Sequence, residues 1–194
     1  TFATTYLIRP LGGWLLGSYA DRKGRKNAFP VTLGLMMVGT LLMAVAPTYA
    51  AVGVWGGAVI LLSRLIQGFS AGGEFGTATT FLIETAPHRK MFYASWQIAA
   101  QGASMLLASA FGFALNTYLT TEQLDAWGWR VPFFVGLLIG PVGLYIRARL
   151  AEPDELGAAE RTKSPMGTLL TQHLGRMLAG SAVIGVATIS VYMI

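Results

Sequence analysis

Cysteine is absent from the 194 residues. Disulfides, thiolate metal sites and a cysteine nucleophile are therefore excluded. Charge is scarce: Asp, Glu, Lys and Arg make up 12% of the chain, about half the share found in soluble domains. The two histidines, His88 and His173, fall in or beside separate polar connections far apart in sequence, which argues against a metal site. No Ser/His/Asp arrangement, phosphate-cradling glycine loop or pair of catalytic carboxylates is visible. Neither enzyme chemistry nor a bound cofactor is expected. What the chain has in quantity is apolar residues: 54% of it is hydrophobic, and the mean hydropathy is +0.55.

The apolar residues come in long runs. A bilayer-crossing helix needs about 20 of them. Six segments qualify fully or in part: 1–19, 28–46, 52–85, 92–116, 131–149 and 176–194. Their apolar character wraps all round instead of forming one stripe, so we expect an all-α polytopic membrane protein. The third segment exceeds the hydrocarbon thickness and should tilt, bend or protrude, with Gly72-Gly73 as the natural bend. The chain opens TFATTYLIRP, without an initiator Met, and ends SVYMI inside an apolar run. It reads as an internal piece of a longer protein, and no signal or transit peptide is recognisable.

The 14 Lys and Arg outnumber the 9 Asp and Glu, and they are placed unevenly. Successive connections alternate across a membrane. The first, third and fifth, at 20–27, 86–91 and 147–176, hold eleven of the fourteen basic residues; 47–51 and 117–130 hold only Arg130. Cytoplasmic loops are the basic ones. Connections 20–27, 86–91 and 150–175 are therefore expected on the cytoplasmic face of a bacterial-type inner membrane, with Trp127 and Trp129 at the outer interface. The flanking spans also argue against DRKGRK (21–26) as a nucleic-acid patch, so membrane lipids and a small solute are the expected partners. The long polar connection divides the chain into 1–149, a loop at 150–175, and a second unit starting at 176. Within that loop, Ser164 and Pro165 suit an N-cap and first helical residue. Met166, Leu169, Leu170 and Leu174 follow at helical spacing; a short surface helix and an ordinary linker turn both fit.

Four charges fall inside or at the end of spans: Arg9, Arg64, Glu74 and Glu84. A charge at membrane depth costs about 2.5–3.5 kcal/mol on insertion scales, so each should face a cavity or an opposite charge. Arg9 lies roughly 18 Å of helix before Asp21, near the midplane. It fits either a packing ion pair or a cavity-lining cation. Arg64, Gln67, Ala71 and Glu74 are spaced 3, 4 and 3 apart and share one helix face. Gly68, Gly72 and Gly76 form a second row of small residues suited to close helix approach. Gln97, Gln101 and Ser104 share a face of the next segment, available to a neighbouring helix or to a solute.

Gly17, Asp21, Arg22, Gly24, Arg25 and Lys26 fit G-x-x-x-D-R-x-G-R-K. This resembles the signature between the second and third helices of the major facilitator superfamily. Arg64-x-x-Gln67-Gly68 is similar to that superfamily's fourth-helix motif. Glu84-Thr-Ala-Pro87, followed by Arg89, is similar to the motif at that helix's inner end. More narrowly, IRPLGG (8–13), RLIQGFSAGGEFG (64–76), FYASWQ (92–97) and WGWRVPFF (127–134) resemble the metabolite–proton symporters. That group includes citrate, 2-oxoglutarate, shikimate and proline/betaine carriers. SWQIAAQGAS (95–104) is most similar to the citrate type, and no antiporter-type Gly-Pro motif occurs in 92–116.

The resemblance implies the major facilitator fold, with 1–149 as helices two to six and 176–194 as the start of helix seven. It implies alternating access by two rocking halves around a midplane site, in a protein expected to be monomeric. The proton would be the coupling ion and a di- or tricarboxylate such as citrate the substrate. Arg9, Arg64, Gln67, Glu74, Gln97 and Gln101 are the implied substrate-binding or proton-coupling residues. Arg64 matches by position an arginine that pairs with a proton-carrying carboxylate on helix one, before residue 1. Protonating that carboxylate would free the arginine and bias which half-opening is favoured. Gly17, Asp21, Arg22, Gly24, Arg25 and Glu84 are the implied gating residues, in a charge network that latches the outward-facing state; Glu84 is the candidate partner of Arg25. Glu74 would repel an anion unless protonated or paired. A zwitterion carrier, a 2-oxoglutarate or shikimate carrier, and a non-transporting receptor on the same fold therefore stay open.

Overall fold

A computed structural model describes residues 2–85, 87–149 and 173–192. Eight α-helices are present among the described residues: α1 (Phe2–Lys23), α2 (Arg25–Ala44), α3 (Tyr49–Val52), α4 (Val54–Thr85), α5 (Lys90–Tyr118), α6 (Thr121–Ala126), α7 (Val131–Arg149) and α8 (Leu174–Tyr192). Short 3₁₀ turns at Pro87–Arg89 and Gly128–Arg130 lead into α5 and α7. Residues 150–172, with the surface helix or turn expected after Ser164, lie outside the described residues.

Helices α1, α2 and α5 extend beyond their apolar runs at Lys23, Arg25, Lys90 and Tyr118, because backbone hydrogen bonding continues into water after the hydrocarbon ends. The expected connection at 20–27 shrinks to Gly24 between α1 and α2. Gly24 has φ 86° and ψ 149°, a conformation open to glycine and strained for residues with a Cβ. Gly53, at φ 59°, separates α3 from α4 in a similar way. In the connection between α5 and α7, Thr120 caps α6 in a capping box: its side chain accepts from the Gln123 N–H, and the Gln123 side chain accepts from the Thr120 N–H.

Among the described residues, four helices are long and apolar enough to cross a membrane, at Asn27–Ala44, Val54–Thr80, Lys90–Tyr118 and Gly128–Tyr145. The first and last expected spans are helical too, but are not among the four. In α1, Arg9, Pro10, two threonines and three glycines dilute the apolar run. Helix α4, with 32 residues, is about 48 Å long and outruns a hydrocarbon core of about 30 Å. It does so as one unbroken helical rod, with helical structure continuing through Gly72 and Gly73.

The rod is the hub. Parallel to it runs α1, as rising positions on one meet rising positions on the other. A Cβ on Gly68 would strike the Thr5 carbonyl and the Ile8 side chain; on Gly72, the Arg9 carbonyl; and on Gly73, the Leu16 side chain. From the other side, a Cβ on Gly12 would strike the Phe69 carbonyl. Backbone thus meets backbone, the close approach that small residues permit in membrane helices. The third member of the glycine row differs: nothing lies within 4 Å of a Cβ built on Gly76.

Helix α2 lies antiparallel to α4 and is held by hydroxyls. Ser63 Oγ donates to the Gly39 carbonyl at 2.7 Å, and Ser70 Oγ donates to the Thr32 carbonyl at 2.6 Å. Ser63, Ser70 and Thr32 are fully buried, so these bonds satisfy groups that would otherwise be costly to bury. Helix α7 packs antiparallel on α2, placing Gly136, Gly140 and Gly143 against Thr40, Met37 and Leu33. Arg130 ties the start of α7 to the end of α2: it donates to the Ala126 carbonyl at 2.7 Å and to the Ala46 carbonyl at 2.9 Å, with its guanidinium 4.4 Å from the Trp129 ring centroid. Helix α5 packs on α4 and has no buried residue among those described.

Candidate functional site

The polar stripe on α4 follows from its spacing. At about 100° per residue, Arg64, Gln67, Ala71 and Glu74 fall within roughly 80° of one another. Helix α1 takes the flank with Gly68, Phe69, Gly72 and Gly73, and α2 takes the flank with Ser63 and Ser70. Arg64 and Ala71 occupy the edge that neither flank covers, and both are half-buried. Among the described residues, Arg64 makes no hydrogen bond or ion pair. Gln67 is anchored instead: its Nε2 donates to Thr40 Oγ1 at 3.4 Å. Glu74 is half-buried one turn inward of Ser70, and its backbone carbonyl accepts from the Thr77 hydroxyl at 3.0 Å.

Arg9 is exposed, not buried. Its backbone supplies the contact with Gly72, while the guanidinium stacks 4.5 Å from the centroid of the Tyr6 ring. The packing ion pair is absent among the described residues, and a cation over an aromatic face takes its place. On α5, Gln97 is half-buried, whereas Gln101 and Ser104 are exposed. Ser104 gives its hydroxyl proton to the Ala100 carbonyl at 2.9 Å, so its helix already satisfies that donor.

The gating residues divide. Gly17 and Asp21 line a cleft of about 190 Å³ between α1 and α4, walled by Gly13 on one side and Gly72, Gly73, Gly76, Thr77 and Thr80 on the other. Nothing lies within 4 Å of a Cβ built on Gly17. The α1 and α4 backbones that touch at Gly12 and Gly72 have diverged by that level. Asp21 and Arg22 are exposed. The side chains of Arg25 and Glu84, and with them their expected pairing, lie outside the described residues.

Sequence reasoning missed the residues that hold the stripe in place. Ser63, Ser70 and Thr77 are spaced by seven on α4, and Thr32 and Gly39 by seven on α2. A seven-residue row of small polar residues on two adjacent apolar segments was the available signal. Thr40 carries no such signal, because its role depends on which residue of α4 faces it.

A bundle of apolar helices around a glycine-faced rod, with a polar stripe along that rod and Arg64 on its uncovered edge, is the architecture of a polytopic membrane protein. The family model for sugar (and other) transporters matches residues 1–152, and the chain belongs to that family. Its fold is shared with the inward-open xylose transporter XylE of Escherichia coli, at a TM-score of 0.70 and 20% identity over 96% of this chain and 44% of that one. A citrate-proton symporter of Klebsiella pneumoniae is 39% identical, covering 100% of this chain and 44% of the relative. The alpha-ketoglutarate permease of Escherichia coli is 41% identical over 79% of this chain and 36% of its own length. A proline/betaine transporter of Salmonella typhimurium is 32% identical over 100% of this chain and 42% of its own. The chain thus spans less than half the length of these relatives.

Proposed function

We propose that the chain is part of a proton-coupled secondary carrier that imports a small di- or tricarboxylate, citrate foremost, by alternating access across a bacterial inner membrane. The observation that carries this reading is Arg64: a half-buried cation on α4, with no carboxylate partner among the described residues and Gln67 one turn away. A guanidinium at membrane depth can bind a carboxylate through two parallel hydrogen bonds. The citrate-proton symporter and alpha-ketoglutarate permease among the relatives support the same solute chemistry. Connections 20–27, 86–91 and 150–175 lie on the cytoplasmic side in this reading, where basic loops belong. Arg9, Gln97 and Gln101 are assigned more distant roles along the solute path, and Glu74 a role in proton coupling.

The proline/betaine relative and the acidic Glu74 keep a zwitterion in play. A thermal-shift series on the full-length carrier separates the two. Ligand that binds only the folded form stabilises it, by about 2.7 kcal/mol at a hundredfold excess over Kd. Citrate is expected to raise the melting temperature by several degrees, 2-oxoglutarate and shikimate by less, and betaine not at all. A shift with betaine alone would replace the carboxylate by a zwitterion.

A further inference from the structure

Thr40 sits where α2, α4 and α7 meet. Its hydroxyl donates to the Met36 carbonyl at 2.8 Å, and its methyl faces Gly136 of α7. A threonine hydroxyl has one proton to give. Since that proton is committed to Met36, the Thr40 oxygen can only accept. The Gln67 amide must therefore present its NH₂ end to Thr40, as it does at 3.4 Å; turning the amide over would oppose two acceptors. The Gln67 stem is fixed as well. It fills the space left by Gly39, where a Cβ would come within 2.7 Å of Gln67 Cγ. The buried Ser63–Gly39 and Ser70–Thr32 bonds hold the register on either side. Gln67 is left with its carbonyl oxygen and one N–H to offer, one turn from Arg64 on the same stripe.

We propose that Thr40 is a positioning residue that sets which end of the Gln67 amide meets the solute, and so selects a hydroxyl-bearing carboxylate. The solute hydroxyl donates to Gln67 Oε1 while a carboxylate engages Arg64. A site built around such a bond rejects the analogue that lacks the hydroxyl, because the acceptor is then left unpaired. This rests on the reading of the Arg64 stripe as the solute site. The test compares citrate with tricarballylate, the same skeleton without the hydroxyl, on the full-length carrier in proteoliposomes. Wild type should bind citrate about tenfold tighter. Thr40→Val should raise the citrate KM by about fivefold to tenfold at unchanged maximal rate, erasing the preference. Thr40→Ser, which keeps the hydroxyl and loses the methyl, should retain it. If Thr40→Val does not insert, Thr40→Ala carries the same comparison. A preference that survives the loss of the hydroxyl, or that Thr40→Ser abolishes, overturns the proposal. Equal wild-type binding of both acids likewise overturns the proposal, while leaving the carboxylate site standing; binding of neither overturns the carboxylate reading beneath it.

Discussion

Gly72→Leu is expected to leave no folded carrier. A single Cβ at Gly72 would already fall on the Arg9 carbonyl oxygen and come within 2.9 Å of the Arg9 carbonyl carbon and the Gly13 nitrogen. These are backbone atoms, which cannot rotate aside as a side chain would. Inserting a few methylenes into a packed core typically costs about 1–3 kcal/mol through side-chain rearrangement. Here α1 and α4 must separate along their whole contact, so the cost should exceed that range. The expected outcome is loss of the monodisperse full-length protein on extraction, together with loss of cooperative melting. Gly76→Ala is the matched control from the same row of glycines. It meets nothing within 4 Å, and alanine is the better helix former by about 0.5–1 kcal/mol. Its melting temperature should be equal to or above that of wild type. Comparable damage from both substitutions would mean that the row does not act through the backbone contact seen at Gly72.

Arg64→Gln is expected to abolish solute uptake while the protein still inserts. Glutamine keeps polarity and removes the charge and the planar fork of donors. Removing one member of a buried charge pair typically costs about 3–5 kcal/mol. On a solute-bound state that amounts to a fall in uptake of at least about a hundredfold. Arg64→Lys should recover only a minor part, because an ammonium cannot make the two parallel bonds that a guanidinium makes. Uptake normalised to inserted protein is the measurement. Wild-type rates in Arg64→Gln would remove Arg64 from the solute path and leave it a packing residue. In contrast, Arg9 is exposed and engaged with Tyr6, so its substitution should be the milder of the two.

The spans could be read from composition because a bilayer demands unbroken apolar length, and helix is the backbone's way of meeting that demand. The expected segment 131–149 matches α7 (Val131–Arg149), and 52–85 differs from α4 (Val54–Thr85) only at its start. The end of the first run moved out to Lys23, the start of the second to Arg25, and both ends of the fourth to Lys90 and Tyr118, since apolarity marks where lipid ends and not where helical hydrogen bonding ends; the end of α2 moved inward instead, to Ala44. The positive φ of Gly24 could be foreseen from the tightness of its connection, as could the close approach at Gly68 and Gly72. Gly76 could not be told apart from them, because four-residue spacing does not reveal how far the partner helix continues alongside. Arg9 shows the same limit. Its position placed it at membrane depth, but only the structure shows that its carbonyl, and not its side chain, meets α4. Thr40 depended on the register between α2 and α4, which no single segment encodes, whereas the buried serines left a seven-residue spacing that could have been read.

Proton coupling to carboxylate entry is the centre of this account, and it can be measured directly. Full-length carrier in proteoliposomes is given labelled citrate with an inward proton gradient, then the same gradient collapsed by a protonophore. Accumulation above equilibrium that vanishes with the protonophore is the result the account predicts. Equal citrate uptake with and without the gradient would contradict it.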